Sequence, residues 1–164
     1  MNTGRDAIAH GPEPRFRAFT SADTTACLAL FDANCPGYFA PNERADYRAF
    51  LEAMPDGYEV CELDGAIIGA YGVHAIDDDN AALHWILLEP TTQGRGLGAA
   101  IMSRAMRAIE QRGHRTLHIS ASHKSAPFFA RFGAIEDARI INGWGPGMHR
   151  VEMRIVRSMA TAAE

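Results

Sequence analysis

The sequence predicts an α/β fold: a single domain in which a mixed, mainly antiparallel sheet carries helices on both faces. Three observations predict it. Turn signals at Asp64-Gly65 and at Asp77–Asn80 divide β-patterned segments into a meander. A glycine-rich segment, Gly94-Arg95-Gly96-Leu97-Gly98, follows a strand-like run and opens a stretch of helical period. The chain has 164 residues at 47% hydrophobic content, which fits one well-filled core better than two domains.

Taken in order, residues 1–14 hold Gly4, Gly11, Pro12 and Pro14 and few apolar groups, so a loose N-terminal tail is expected. Arg15–Phe19 alternates charged and aromatic residues and reads as a short strand. Thr20-Ser21-Ala22-Asp23 reads as a helix start, with Cys27, Leu28 and Phe31 on the apolar face behind it, and Cys35-Pro36-Gly37 ends the helix. Pro41-Asn42 opens a second helix, in which Tyr47, Phe50, Leu51 and Met54 recur at helical spacing. The period then changes to that of strands, over Tyr58–Leu63, Ile67–His74 and Ala81–Leu88. After the glycine segment, Leu97, Ile101, Ala105, Ala108 and Ile109 mark one face of a helix that stops near Gly113. Thr116–Ser120 reads as a strand and Pro127–Phe132 as a short helix closed by Gly133. Ile135–Ile141 and Val151–Val156 form a last strand pair around a Gly143–Gly147 loop.

Composition excludes several partners. A net charge of −4 argues against nucleic acid, whose phosphates call for a basic footprint. Cys27, Cys35 and Cys61 are odd in number and show no CxxC spacing, so a reduced, cytoplasmic setting is expected and no metal site. The N-terminal segment MNTGRDAIAHGPEP has no apolar core, so neither a signal peptide nor an anchor is expected. No window approaches the roughly 20 apolar residues of a membrane span, so no membrane is expected as a partner.

Glycines at a helix start let the backbone approach a ligand closely, and the unpaired N–H groups there favour an anion, most often phosphate. A Walker loop needs a Gly-Lys-Ser/Thr ending, and this segment has no lysine. The dinucleotide fingerprint is matched nominally by Gly94, Gly96 and Ala99. Its context is wrong, because Pro90–Gln93 intervene after the strand, antiparallel hairpins precede it, and LHISAS offers no ribose-binding acid.

A third pattern fits every element. Gln93-Gly94-Arg95-Gly96-Leu97-Gly98 resembles the Q/R-x-x-G-x-G/A signature of the GNAT superfamily of acyl-CoA-dependent N-acetyltransferases. Leu87-Leu88-Glu89-Pro90 resembles the hydrophobic-acid-proline end of that family's fourth strand. The stretch Ser125–Ala134 resembles its short helix with an aromatic-glycine-hydrophobic step. The order of elements is similar to the family fold over about residues 15–157, which leaves 158–164 as a C-terminal tail.

The resemblance implies a twisted sheet whose fourth and fifth strands splay apart to admit acetyl-CoA. It implies a pyrophosphate held by the loop Gln93, Gly94, Arg95, Gly96, Leu97, Gly98 and Ala99, and a pantetheine arm along the backbone of Ile86, Leu87 and Leu88. A backbone N–H near Leu87 or Leu88 would stabilise the oxyanion. Ser122 falls where the family has an asparagine, and Ser125 lies beside it. Phe129 stands where many members carry a tyrosine that protonates the leaving thiolate. The commonest catalytic glutamate of the family falls at Ala82. His84, two residues on and on the same side of the strand, is the candidate base, with His149 the weaker one.

The acceptor pocket implied lies along Cys35–Glu43 and Gly143–His149, with Tyr38, Phe39, Glu43, Trp144 and Met148 as its substrate-binding residues. Aromatic walls and a carboxylate suit an amine. Arg104, Arg107 and Arg112 read as a solvated helix face, with contact of one of them to the nucleotide 3′-phosphate as the alternative, and His118 reads as structural. The expected reaction is direct acetyl transfer from acetyl-CoA to a primary amine of a small molecule in a ternary complex, since no cysteine falls in the cleft. Two alternatives stand beside it: a non-catalytic acyl-CoA-binding sensor or interaction module, and acetylation of a protein N-terminus or lysine. Dimers are frequent in the family, so the resemblance also admits a homodimer.

Overall fold

The strands are β1 (Arg15–Ala18), β2 (Tyr58–Leu63), β3 (Ala66–Ala75), β4 (Asn80–Leu88), β5 (Thr116–Ser122), β6 (Ile135–Gly145) and β7 (Met148–Val156). The helices are α1 (Thr24–Ala33), α2 (Glu43–Glu52), α3 (Leu97–Gln111) and α4 (Ala126–Ala130). They come from a computed structural model that describes residues 13–92 and 94–158. Gln93 and nearly all of the two expected tails lie outside the described residues.

The seven strands form one sheet in the order β1-β2-β3-β4-β5-β7-β6. Every neighbouring pair is antiparallel except β4 with β5, which run parallel. Asp64 and Gly65 both take positive φ in the β2–β3 turn, at 50° and 78°, as an Asp-Gly hairpin turn demands. The Asp77 carboxylate closes the next turn by accepting the backbone N–H groups of Asp79 and Asn80.

The two sheet faces carry separate apolar clusters. One gathers Ile101, Met102, Ala105 and Ile109 of α3 with Ala81, Leu83, Leu117 and Val151. The other gathers Leu28, Leu30 and Phe31 of α1 and Tyr47 and Leu51 of α2 with Tyr58, Val60, Ala70 and Leu87. Each helix thus buries the face that its 3.6-residue period presents. At the sheet edge, Arg17 is held by Asp23 at 2.7 Å and by Glu62 at 2.7 Å. That bond keeps the Asp23 carboxyl below the usual carboxylate range while the same group accepts the Thr20 N–H.

Two expectations are corrected. Helix α2 ends at Glu52, and Met54 is 52% exposed with φ of 51°, so it is not on the buried face. The last hairpin is longer than its glycines suggest. Its strands meet at Gly145 and Met148, so most of the Gly143–Gly147 loop is strand. The reason is local anchoring: the Trp144 indole N–H donates to the Ala121 carbonyl at 2.9 Å, and the Asn42 amide donates to the Trp144 carbonyl at 2.8 Å.

Candidate active site

The parallel pairing of β4 with β5 is short. It runs through Asn80–Thr116, Ala81–Leu117 and Ala82–His118 and then stops. Past that point, Leu83–Leu88 and Ile119–Ser122 diverge, and a wedge opens in the middle of the sheet.

A bulge in β4 gives the wedge its upper edge. Ala70 faces Leu87 and Gly72 faces His84, so β4 has one residue more than β3 between those rungs. Trp85 sits there at φ of 35°, a sparsely populated conformation for a non-glycine residue. Its carbonyl accepts the Tyr58 hydroxyl at 2.7 Å, and the hydroxyls of Tyr58 and Tyr47 are 2.8 Å apart. Because Tyr58 donates to Trp85, it accepts from Tyr47. Burial pushes both phenols well above their ordinary range, which keeps these donors protonated.

The extra residue switches which side chains face α1 and α2. Ala81 and Leu83 pack on the α3 side, whereas Leu87 packs on the α1 and α2 side. Beyond the bulge the Glu89 N–H returns to the Ile68 carbonyl of β3 at 2.8 Å. By strand alternation the Leu88 N–H therefore points the other way, toward the wedge. The Leu88 carbonyl is taken by the Asn34 amide at 2.8 Å.

A cavity of about 1180 Å³ fills the wedge. Gly94, Gly96, Leu97, Gly98 and Ala99 line it, together with Ile86 and Leu88 of β4. Ser122, Ser125 and Phe129 line it from the β5–α4 side. Tyr38, Phe39, Glu43, His84 and Trp144 line the same cavity. The glycines do different jobs. Gly94 and Gly96 take φ of 83° and 79° with open space where a Cβ would stand, so the loop needs their left-handed backbone. A Cβ on Gly98 would lie 2.7 Å from the Phe128 ring, so there the requirement is close packing of α3 on α4.

Of the other expected residues, Leu87 turns its side chain into the core, and Arg95 is exposed. Ser122 and Ser125 bond each other, Oγ to Oγ at 3.1 Å, and the Ser125 N–H donates to Ser122 Oγ. Met148 and His149 are not among the cavity-lining residues. Met148 is buried, and His149 Nδ1 accepts the Asn142 N–H at 3.0 Å, which occupies one of its two nitrogens. Arg104 lies away from the cavity, bonded to Glu59 at 3.0 Å and stacked over Phe16 at 4.3 Å.

The electrostatics single out two groups. Glu43 is 4% exposed; burial, helped by Asp46, pushes it up to about 7 although it accepts the Ala40 N–H at 2.7 Å. His84 is not isolated. Its Nε2 is 3.2 Å from Nε2 of His74 on β3, and burial with His74 alongside holds His84 down to about 4. His84 is therefore neutral at pH 7 and a weaker base than a free imidazole. His118 donates its Nε2–H to Asn80 Oδ1 at 2.8 Å.

The family model described as the acetyltransferase (GNAT) family matches residues 27–134 of this chain. The chain belongs to the GNAT family. An uncharacterized N-acetyltransferase of Methanocaldococcus jannaschii is 31% identical over 107 residues, which is 60% of this chain and 47% of that protein. The chain thus matches about half the length of this curated relative. The GNAT fold is seen again in the ribosomal-protein-S18-alanine N-acetyltransferase of Escherichia coli. That structure has a TM-score of 0.71 at 19% identity, with 92% of this chain and 97% of that one covered. The yncA protein of Salmonella typhimurium, solved with its cofactor acetyl-CoA, gives 0.67 at 15% identity over 93% and 98% of the two chains. At these identities the structural likeness concerns the GNAT fold alone.

In this GNAT chain the splayed fourth and fifth strands are thus those that the glycine signature pointed to. Sequence reasoning passed over His74, Asn34 and Tyr58. His74 alone left a signal: counting outward from the Asp77–Asn80 turn puts it opposite Ala82, one step diagonally from His84. Among the described residues no group of three or more histidine, cysteine or acidic side chains is gathered to hold a metal, and no helix is long and apolar enough to cross a membrane.

Proposed function

We propose that this chain, through a catalytic domain over residues 15–157, transfers an acetyl group from acetyl-CoA to a primary amine of a small molecule by direct attack in a ternary complex. One observation carries the reading: a single cavity joins the glycine loop, the free edge of β4 and a pocket holding Glu43 and three aromatic side chains. The loop N–H groups at the start of α3 suit a diphosphate. The backbone of Ile86–Leu88, with no strand paired to it on the wedge side, suits the amide-rich arm of the cosubstrate.

The acceptor end suits a cation. Glu43 is a buried carboxyl poised near neutrality, and an ammonium beside it would restore its charge. Tyr38, Phe39 and Trp144 supply apolar and π surface around such a group. His84, neutral at pH 7, takes the proton that the amine loses on attack. The Leu88 N–H, aimed at the wedge, serves the developing oxyanion. Phe129 cannot protonate the leaving group; a thiol with a pKa of about 8.5 leaves as thiolate without that help.

The test is thiol release from acetyl-CoA across an acceptor panel of 2-phenylethylamine, spermidine, glycine and a short peptide with a free N-terminus. Release with a small amine is expected. Release with the peptide alone moves the chain to protein acetylation, and tight acetyl-CoA binding with no release from any acceptor makes it a sensor. His84→Ala is expected to lower turnover about a hundredfold with acetyl-CoA affinity unchanged. Wild-type turnover in that variant removes His84 from the mechanism.

A further inference from the structure

Two of the imidazoles lining the cavity, His74 on β3 and His84 on β4, touch each other, and the proposed function uses only His84. We propose that His74 is the relay partner of His84: the proton that His84 removes from the acceptor amine comes to rest on His74. This rests on the reading of His84 as base and names what completes it.

Geometry carries the inference. The two Nε2 atoms are 3.2 Å apart, and the ring centroids are 3.6 Å apart with planes inclined by 50°. In such a contact one nitrogen donates and the other accepts, so a single proton lies between the rings. With that proton on His84 Nε2, the lone pair of His84 Nδ1 is free. As the amine attacks, its N–H bond breaks and the proton binds His84 Nδ1. The Nε2 proton of His84 then crosses to His74 Nε2. Two N–H bonds break and two form; His84 stays neutral and His74 becomes the imidazolium. The return path delivers one proton to solvent and resets the pair.

The surroundings favour that direction. Burial lowers the proton affinity of both rings, but the backbone of Ala82 works in favour of the charged form of His74, whereas no such contact helps His84. His74 Nδ1 is buried and makes no close hydrogen bond of its own, and the nearby Ala82 backbone favours a proton on that ring. Two positive rings at this separation repel strongly, and the pair therefore carries one proton at most over the working range. The other titratable groups lining the cavity are His118 on β5, Tyr38 ahead of α2, Glu43 on α2, Glu152 on β7, and Lys124 and Arg131 flanking α4. His118 is already committed to Asn80. From α2, the uncharged Phe50 ring packs on His84 at 5.3 Å. His74 does not touch substrate in this scheme and acts only through His84, as a positioning residue.

Nitrogen-15 NMR of the imidazole rings in the full chain decides it. The expected spectrum has His84 protonated on Nε2 at neutral pH, with the first added proton appearing on His74. A His84 protonated on Nδ1, or charged before His74, overturns the proposal. Steady-state kinetics of H74Q, H84Q and the double variant, with 2-phenylethylamine as acceptor, separate this inference from the one beneath it. H74Q is expected to lower kcat about tenfold at unchanged KM for acetyl-CoA, to move the acid limb of the profile to lower pH, and to add nothing in the H84Q background. A slow H84Q beside an H74Q with wild-type kcat and acid limb overturns the relay and leaves His84 as base. Wild-type turnover in H84Q overturns both. An H74Q that is slow only because it melts early, with its acid limb unmoved, makes His74 a structural residue and also overturns the relay.

Discussion

Glu43 begins α2 almost wholly out of solvent, with one oxygen on the Ala40 N–H. In the unfolded chain it ionises near 4.5, and in the fold near 7. Between those values only the unfolded chain takes up the negative charge, so stability is lost as pH rises from 4.5 to 7 and is flat above. Glu43→Gln keeps an oxygen for the Ala40 N–H and removes the titration. Urea unfolding should therefore find the variant level with wild type near pH 4 and more stable at pH 8. The gain is bounded by the difference between 4.5 and about 7, or roughly 3 kcal/mol at about 1.4 kcal/mol per unit. An equal effect at both pH values would show that the carboxyl does not titrate abnormally. The same variant should bind a cationic acceptor more weakly, because the group held ready for its charge is gone. Stability and acceptor binding then move in opposite directions from one substitution, as expected where a binding site stores an unpaired buried group.

A bulge at Trp85 would ordinarily relax toward a regular rung, because its backbone conformation is unfavourable. Three side-chain features hold it: the Tyr58 hydroxyl on its carbonyl, the Tyr47 hydroxyl behind Tyr58, and the rings of Phe39 and Tyr47 against its indole. Tyr58→Phe strips the donor from the Trp85 carbonyl and leaves the Tyr47 hydroxyl without its acceptor. A cost of about 2 kcal/mol in urea unfolding follows. Acetyl-CoA affinity should fall as well, since the bulge sets the direction of the Ile86–Leu88 edge. Calorimetric titration checks this, and an unchanged affinity at lowered stability would separate the bulge from the cosubstrate edge. Gly98 tests the neighbouring element by packing instead of hydrogen bonding. Its replacement by alanine drives a methyl into Phe128 and must tilt the start of α3 away from α4.

Across the whole molecule, the order of elements was legible because period and turn chemistry are local. Asp64-Gly65 and Asp77–Asn80 set the meander, and Leu97, Ile101, Ala105 and Ile109 set the buried face of α3. The long hairpin and the end of α2 were not, because they depend on Trp144 reaching Ala121 and on Met54 finding no core to enter. The cosubstrate loop was legible because its work is done by backbone, and glycine betrays backbone. The histidine pair was not, since a strand pattern says which side a ring faces but not that two rings meet. The bulge was hidden too, for lack of any glycine at Trp85. What the sheet does as a unit follows from the three rungs that join β4 to β5. Beyond them, the half formed by β1–β4 and the half formed by β5–β7 face each other across the wedge. A cosubstrate seated there would bridge the halves and bind only the folded chain. At a hundred times its dissociation constant it should stabilise by about 2.7 kcal/mol, and raise Tm by about 5–10 °C for a domain of this size. Hydrogen exchange should slow most at 86–88 and 119–122, the two lips of the wedge, and little at the β2–β3 ladder, which pairs from Tyr58 to Leu63 with one irregularity after Cys61. A uniform slowing would mean that the ligand stabilises the fold without closing the wedge. No slowing at either lip would mean that the cosubstrate binds elsewhere, and the active-site geometry proposed for β4 would fall with it.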